Sequence, residues 1–313
     1  MSTALTFPGQ GSQSVGMGKA LAEAFPAARA VFEEVDAALG QKLSAIIFQG
    51  PEADLTLTAN AQPALMAVSM AVLRVLESEA GLDVGRDAAF VAGHSLGEYS
   101  ALAAARSISL ADTARLLRIR GEAMQKAVAP GQGAMAALLG LDFEQAAAAA
   151  AEASQGDVCQ AANDNGGGQV VISGTKAAVD RACEIAKAKG ARRAVPLAVS
   201  APFHCALMQP AADAMAAALA EVRIHAPAAP VVANVLAAPL TDPDAIRRAL
   251  VSQVTGTVRW RESVAFMAGQ GVTRFVEIGA GKVLTGLVRR IAEQAEGVAV
   301  GTPDDVAAWI ARG

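Results

Sequence analysis

The chain has 313 residues, of which 53% are hydrophobic and 18% charged, a composition typical of a globular protein with a large core. A net charge of −4 and a pI near 5.5 give no basic footprint for nucleic acid, so an anionic partner needs local positive charge. Three irregularly spaced cysteines argue against a disulfide scaffold. The lack of a basic leader argues against a secreted chain, and the lack of an apolar run of about 18 residues argues against a membrane span. We therefore expect a cytoplasmic protein.

Strand and helix patterns alternate in the first part of the sequence. The strand predicted at 88–92 runs directly through a glycine-flanked turn into a helix, and Ser109 is a typical N-cap for the helix after it. The predicted elements are strands at 4–7 and 88–92 and helices at about 62–79, 98–105 and 109–127.

The middle of the chain has a different order of elements. We predict strands at 135–139, 158–162, 169–173 and 192–197 and helices at 143–154 and 176–189. This β-α-β-β-α-β order is that of the ferredoxin-like fold. We therefore expect a small ferredoxin-like domain at 130–198, inserted into a larger domain that comprises 1–129 and 199–313.

Alternation of helices and strands resumes after the insertion. Helices are predicted at 207–219, 244–251 and 261–270, strands at 231–234 and 274–278, and a further helix after Gly281. Strands that alternate with helices favour a mostly parallel sheet. The predicted fold class is α/β, with an α/β-hydrolase-like large domain.

The segment Gly93-His94-Ser95-Leu96-Gly97 fits the G-x-S-x-G pattern between a predicted strand and a predicted helix. The glycines remove side chains that would clash in so sharp a turn, and the serine hydroxyl then stands at a helix N-terminus, where free amides favour negative charge. We therefore predict that Ser95 is a nucleophile. The alternative is an ordinary glycine-rich turn.

A serine nucleophile needs a base, and the chain has three histidines. His94 adjoins Ser95, and neighbouring side chains in such a turn point apart. His225 lies in a stretch typical of a linker or edge strand, where a histidine is usually structural or solvated. His204 lies in a non-repetitive loop before a helix, which favours it as the catalytic base.

Other sequence patterns are too weak to predict a cofactor. The segment Gly279-Ala280-Gly281-Lys282 fits neither a phosphate-binding loop nor a dinucleotide fingerprint. The histidines and cysteines lack the spacing of metal ligands. We expect no cofactor and no metal site.

Several motifs together resemble the malonyl-CoA:acyl carrier protein transacylase family. They span nearly the whole chain in the family's order and spacing, which is far more specific than any one motif. The motifs are FPGQGSQ at 7–13, GHSLGEYSA at 93–101, Arg120-Gly121 with Met124, SAPFHC at 200–205, QVTGTVRW from Gln253, and EIGAGKVLTGL at 277–287.

The resemblance implies a catalytic role for five residues. Ser95 would attack the thioester and carry the acyl group, and His204 would take the serine proton and later activate the incoming phosphopantetheine thiol. The backbone carbonyl of Gln253 would orient the imidazole in place of an aspartate. The backbone amides of Gln10 and Leu96 would form the oxyanion hole.

The resemblance also implies substrate contacts. The guanidinium of Arg120 would pair with the free carboxylate of a malonyl group. Helix periodicity alone favours a solvated charge there, because Arg115 and Arg118 share the helix. Met124 belongs to the same motif, and Phe203 resembles the variant linked to malonyl over methyl-branched substrates.

Three further contacts are weaker predictions. Asn163 and Gln169 are candidates to line the cleft between the domains, with ordinary surface loop residues as the alternative. Arg193 is a candidate contact for coenzyme A phosphates. Arg193 belongs to a basic cluster that comprises Lys187, Lys189, Arg192 and Arg193. This cluster would guide an acidic carrier protein, and the alternative is a solvated helix end.

The sequence and the resemblance together favour a monomeric acyltransferase of fatty-acid biosynthesis. It would move malonyl from malonyl-CoA to acyl carrier protein by a two-step ping-pong route, with neither nucleic acid nor a membrane as partner. A polyketide or malonate-decarboxylase acyltransferase is the alternative within the superfamily. A serine esterase would need an acidic triad member and leaves Arg120 without a purpose, and a non-catalytic scaffold leaves three predicted site residues unexplained.

Overall fold

The computed structural model describes residues 2–311, and their strands form two separate sheets. The six-stranded sheet has the order β10-β9-β1-β2-β7-β8, and the four-stranded sheet has the order β4-β5-β3-β6. The strands are β1 (Ser2–Phe7), β2 (Phe90–Gly93), β3 (Gly133–Leu139), β4 (Cys159–Asp164), β5 (Gln169–Thr175), β6 (Arg193–Pro196), β7 (Val231–Ala233), β8 (Ala238–Leu240), β9 (Val272–Ile278) and β10 (Glu296–Val300).

The described residues form fifteen α-helices, and a short 3₁₀ helix at Ala206–Met208 precedes α11. The α-helices are α1 (Lys19–Ala24), α2 (Pro26–Leu39), α3 (Leu43–Gln49), α4 (Glu52–Thr56), α5 (Thr58–Ala80), α6 (Val84–Asp87), α7 (Gly97–Ala104), α8 (Leu110–Lys126), α9 (Phe143–Ser154), α10 (Lys176–Ala188), α11 (Gln209–Ala220), α12 (Pro243–Gln253), α13 (Trp260–Gly269), α14 (Val283–Ile291) and α15 (Pro303–Ile310).

The six-stranded sheet is parallel apart from its last strand. β10, β9, β1, β2 and β7 run parallel to one another, and β8 pairs antiparallel with β7. The mixed α/β class and the mostly parallel sheet predicted from the sequence are therefore confirmed. The carboxyl ends of β1 and β2 meet at one edge of the sheet, and this edge carries the turn around Ser95.

Helix α5 is the buried core helix of the larger unit. It is long and apolar enough to cross a membrane by length and composition, which corrects the expectation that no apolar run reaches that length. However, 89% of its most apolar 18-residue window is buried inside the protein. A helix that is apolar on all sides is suited to such a buried position.

The four-stranded sheet is built from the segment between α8 and the 3₁₀ helix, in the predicted order β3-α9-β4-β5-α10-β6. Each pair of neighbouring strands is antiparallel. Alanines are most of the core residues that α9 and α10 contribute, and such small side chains let both helices lie close to the sheet. These alanines are Ala146, Ala149, Ala150, Ala153, Ala178, Ala182 and Ala186.

The end of β4 connects this sheet to the larger unit. The Asp164 backbone N–H donates to the Val258 carbonyl, and the Asp164 carboxylate pairs with Arg261 at 2.8 Å. The next residue, Asn165, lies 2.9 Å from His94, measured from Oδ1 to Nε2. The small sheet is therefore held directly beside the turn that carries Ser95.

Candidate active site

Ser95 lies in a strained turn between β2 and α7. Its φ angle is +55°, a left-handed value that is unusual for a residue other than glycine. A Cβ atom on Gly93 would overlap the backbone of Gly97, and one on Gly97 would overlap the Phe7 carbonyl oxygen. Both glycines are therefore required for the turn to form beside β1.

The Ser95 hydroxyl lies within hydrogen-bonding distance of two side chains. Its Oγ is 2.7 Å from His204 Nε2 and accepts a hydrogen bond from Arg120 Nη2 at 3.1 Å. These three residues come from the β2–α7 turn, from α8 and from the loop before the 3₁₀ helix. The fold thus brings together residues that are up to 109 positions apart in the sequence.

Two backbone carbonyls fix the imidazole of His204. Its Nδ1 lies 2.9 Å from the Gln253 oxygen and 3.2 Å from the Gly256 oxygen. Because a carbonyl only accepts, Nδ1 carries the proton and Nε2 presents its lone pair to the Ser95 hydroxyl. This is the orientation that a base for Ser95 requires.

The environment of His204 also keeps the ring neutral. Burial lowers the pKa of His204 to about 3, and the positive charge of Arg120 acts in the same direction. The histidine is therefore unprotonated near neutral pH and able to accept a proton.

Arg120 is a buried cation that points into the site. Its side chain is only 1% exposed, and its guanidinium donates to the side-chain oxygens of Gln62 and Gln253, both at 2.8 Å. Within residues 2–311, no ion pair involves this guanidinium. Burial lowers the pKa of Arg120. A buried guanidinium whose hydrogen-bond partners are neutral amides and a hydroxyl is suited to bind an incoming anion.

The other two arginines of α8 face elsewhere. Arg115 is exposed and pairs with Asp112, and Arg118 donates to Asn60 and Gln41. The solvated alternative for Arg120 is therefore wrong, because this side chain lies on the buried face of the helix.

A cavity of about 620 Å³ opens beside Ser95. Apolar side chains form much of its wall, including Met135, Val171, Leu197 and Val199. The predicted site residues on its lining are Gln10, Ser95, Leu96, Arg120, Met124, Asn163, Phe203 and His204.

Three predicted residues do not line this cavity. Gln253 is fully buried behind it. Gln169 begins β5, where its Oε1 accepts from Arg290 at 3.5 Å, and Arg193 is an exposed residue at the start of β6. Two lysines of the basic cluster form ion pairs at the surface, Lys187 with Glu184 and Lys189 with Glu152. This pairing is consistent with a solvated helix end. The role of the cluster in binding a carrier protein stays a prediction.

A chain of hydrogen bonds links the loops on either side of the cavity. Gln10 Nε2 donates to the Thr58 hydroxyl at 3.3 Å, and this hydroxyl lies 2.7 Å from that of Ser200. The start of α5 therefore holds both the β1–α1 loop and the segment before His204.

Three polar residues of the site were missed from the sequence. Gln62 holds Arg120, and Glu98 and Asn234 lie beneath the Ser95 turn. Each is a polar residue within or directly after a buried apolar segment, and Glu98 also lies in the GHSLGEYSA motif, which gave a second signal.

The other two histidines and Cys205 have surroundings different from those of His204. His94 faces Asn165 and not Ser95, Cys205 donates to the Pro202 carbonyl at 3.2 Å, and His225 is exposed. Within residues 2–311 the structure has no group of three or more His, Cys, Asp or Glu side chains arranged to hold a metal ion.

Comparison with known proteins defines the class first. The family model of the acyl transferase domain matches residues 5–303, so the protein is an acyltransferase. The malonyl CoA-acyl carrier protein transacylase of Escherichia coli strain K12 is 49% identical over 97% of this chain and 97% of that protein. By this similarity the chain belongs to the malonyl CoA-acyl carrier protein transacylase family.

Solved structures give the same result. The crystal structure of acyl-carrier-protein S-malonyltransferase from Bartonella henselae is 60% identical, with a TM-score of 0.97 over 100% of this chain and 99% of that chain. A malonyl-transacylase in complex with its type II polyketide acyl carrier protein is 45% identical, with a TM-score of 0.96 and full coverage of both chains. The resemblance stated from the motifs is therefore confirmed.

Proposed function

We propose that this enzyme transfers a malonyl group from malonyl-CoA to the phosphopantetheine thiol of acyl carrier protein, through an ester on Ser95. The observation that carries the proposal is the meeting of His204 Nε2 and Arg120 Nη2 at one atom, Ser95 Oγ. A base and a carboxylate-binding cation beside one nucleophile are suited to an acyl group that bears its own negative charge.

The first half-reaction forms the acyl-enzyme. Ser95 Oγ attacks the thioester carbonyl while His204 Nε2 takes the hydroxyl proton. The tetrahedral intermediate then breaks its C–S bond, and the coenzyme A thiolate leaves with the proton from His204. The product is a malonyl ester on Ser95 and free coenzyme A.

The second half-reaction runs the same steps in the opposite direction. His204 takes the proton of the incoming phosphopantetheine thiol, and the thiolate attacks the Ser95 ester. The C–O bond breaks, and the Ser95 oxygen recovers the proton from His204. No acidic residue is needed, since the carbonyls of Gln253 and Gly256 already fix the imidazole.

The backbone amides of Gln10 and Leu96 would stabilise the oxyanion of each intermediate. Both residues line the cavity, and among the hydrogen bonds of residues 2–311 neither amide donates to a protein acceptor. Free amides beside the nucleophile are what an oxyanion hole requires.

Arg120 would select the malonyl group. A malonyl carboxylate in the cavity gives the buried guanidinium a counter-charge that its amide partners do not supply. Met124 and Phe203 would contact the apolar part of the acyl group, and Asn163 would contact the pantetheine side of the substrate. Gln169 and Arg193 are proposed as outer contacts for coenzyme A.

We further propose the division of the chain into domains. An α/β-hydrolase-like domain would comprise 1–129 and 199–313, with a ferredoxin-like domain at 130–198. The strand orders and the antiparallel pairing of the small sheet support this division. The protein is expected to act in the cytoplasm as a monomer, without a resident cofactor.

The polyketide alternative remains a second candidate because of one relative. The complex that is 45% identical to this chain pairs a malonyl-transacylase with a type II polyketide carrier. A transfer assay separates the two readings: the enzyme is given malonyl-CoA and equal amounts of a fatty-acid and a polyketide holo-carrier, and the mass of each carrier is followed. Faster loading of the fatty-acid carrier supports the first reading, faster loading of the other supports the second, and loading of neither contradicts the proposal.

A further inference from the structure

Glu98 is a buried carboxylate directly beneath the nucleophile turn. It lies in the first turn of α7 with a side chain only 1% exposed. Its Oε2 accepts hydrogen bonds from the Asn234 backbone N–H and from Gln253 Nε2, both at 2.9 Å. Burial raises the pKa of Glu98 to about 7, and these bonds and the charge of Arg120 oppose the rise. A carboxyl group is costly to bury, so its partners are informative.

The first partner connects Glu98 to the base, the nucleophile and the cation. The Gln253 side chain also donates through Nε2 to the Ser95 carbonyl at 2.9 Å and accepts through Oε1 from Arg120 at 2.8 Å. Its backbone carbonyl is the one that orients His204. One residue therefore contacts all three groups of the proposed site.

The second partner holds the turn itself. Asn234 Oδ1 accepts from the Ser95 backbone N–H at 2.8 Å, and Asn234 Nδ2 donates to the Gly93 carbonyl at 2.7 Å. The Ser95 backbone is thus tied on both sides, at N–H by Asn234 and at C=O by Gln253. These bonds maintain the left-handed φ angle of Ser95.

A side-chain amide fits its pocket in only one of two orientations. The Gln253 oxygen must face the Arg120 guanidinium, which only donates, and its nitrogen must face an acceptor. Glu98 is one of three acceptors near this nitrogen, together with the Ser95 carbonyl at 2.9 Å and Asn234 Oδ1 at 3.3 Å. If Glu98 is removed, the amide loses one of the partners that keep its oxygen toward Arg120.

We propose that Glu98 is a positioning residue, which acts through Gln253 and Asn234 to fix both the Ser95 backbone and the Arg120 guanidinium. It would therefore set the preference for malonyl over an uncharged acyl group as well as the rate of acylation. This inference rests on the proposed function.

The test compares single-turnover acylation by malonyl-CoA and acetyl-CoA, read by intact-protein mass, in wild type, Glu98→Leu and Glu98→Gln. The malonyl:acetyl rate ratio is expected to fall about tenfold or more in Glu98→Leu, the factor expected when hydrogen bonds to a buried acceptor are lost. Glu98→Gln retains an acceptor oxygen, so its ratio is expected to stay within about threefold of wild type.

Glu277→Leu is the matched control. Glu277 is also 1% exposed, but it accepts from the N–H groups of Leu284 and Thr285 at the start of α14. Its loss is expected to lower the melting temperature and leave the ratio unchanged. An unchanged ratio in Glu98→Leu, with rates that fall only in line with stability as in the control, would overturn the proposal.

Two further outcomes are decisive. If Glu98→Leu does not fold, Glu98→Met replaces it, because methionine also lacks an acceptor oxygen but is closer to glutamate in length; the ratio must fall by a similar factor, and an unchanged ratio refutes the inference. If wild type is acylated by acetyl-CoA but not by malonyl-CoA, the proposed function itself is wrong and the inference is lost with it.

Discussion

The imidazole of His204 is oriented by two carbonyl groups where many serine enzymes use a carboxylate. Carbonyls fix the tautomer without adding a negative charge that would raise the pKa of the ring. Burial and Arg120 instead lower the pKa of His204 to about 3. A base is lost only when the pH falls below its pKa, so this site should resist acidification.

We therefore predict that kcat/KM for acylation changes little between pH 8 and about pH 5, whereas an ordinary histidine would lose half of its base form near pH 6.5. The measurement is a pH profile of the single-turnover rate with limiting malonyl-CoA. Because burial also raises the pKa of Glu98 to about 7, the profile is repeated in Glu98→Gln, and an acid limb with its midpoint near pH 6.5 that persists in this variant would contradict the account of His204.

Arg120 provides a test of the preference for the malonyl group. Arg120→Ala is expected to lower kcat/KM for malonyl-CoA about 100-fold, because a charge-assisted pair in a buried site is lost, and to change acetyl-CoA much less. Arg118→Ala is the control on the same helix, since Arg118 contacts Asn60 and Gln41 outside the cavity. Equal losses with both acyl groups would contradict the proposed carboxylate contact.

The structure brings together Ser95, His204 and Arg120, which the sequence had singled out, and the reason for each prediction differs. Ser95 and His204 follow from a strained turn and from elimination among three histidines. Arg120 follows only from the resemblance, because the buried face of α8 is set by contacts with α5 that the local pattern does not contain. Glu98 and Asn234 are 136 positions apart, and no local pattern joins them.

At the scale of elements, prediction succeeded where periodicity and caps are strong. The predicted helix at 143–154 coincides with α9, and Ser109 caps α8 by accepting from the Asp112 N–H. The missed elements are helices α1 to α4, α6 and α15 and strands β8 and β10. Most of them are short helices or edge strands, which depend on tertiary packing more than on their own pattern. Helix α2 has 14 residues, but its N-cap Phe25 provides no side-chain cap, so its start lacks the signal that Ser109 gives for α8.

The turn between β2 and α7 allows a direct test of packing. Gly97→Ala is expected to destabilise the protein by about 2–3 kcal/mol, because the new methyl group meets the Phe7 carbonyl oxygen. Gly286→Ala in α14 meets no atom within 4 Å and should be neutral or slightly stabilising. Thermal unfolding of both variants checks this; equal melting temperatures would show that β1 can shift to relieve the contact.

At the scale of the whole molecule, the cavity is formed by both sheets. Gln10, Ser95 and Arg120 come from the larger unit, and Met135 and Val171 come from strands of the small sheet. The pair Asp164–Arg261 and the contact between Asn165 and His94 hold the two units together beside the nucleophile. The succession of elements in the small unit and the mostly parallel sheet of the larger one could be predicted from the sequence, but the strand order of the larger sheet and this contact between the units could not.

The malonyl ester on Ser95 is the intermediate on which the proposed function depends. Brief incubation with malonyl-CoA, followed by intact-protein mass and peptide mapping, should show one added malonyl group on the peptide that contains Ser95. The group should leave when holo acyl carrier protein is added, and it should be absent from Ser95→Ala. A wild-type protein that gains no mass while malonyl still moves to the carrier, or a Ser95→Ala protein that gains the same mass, would contradict the account.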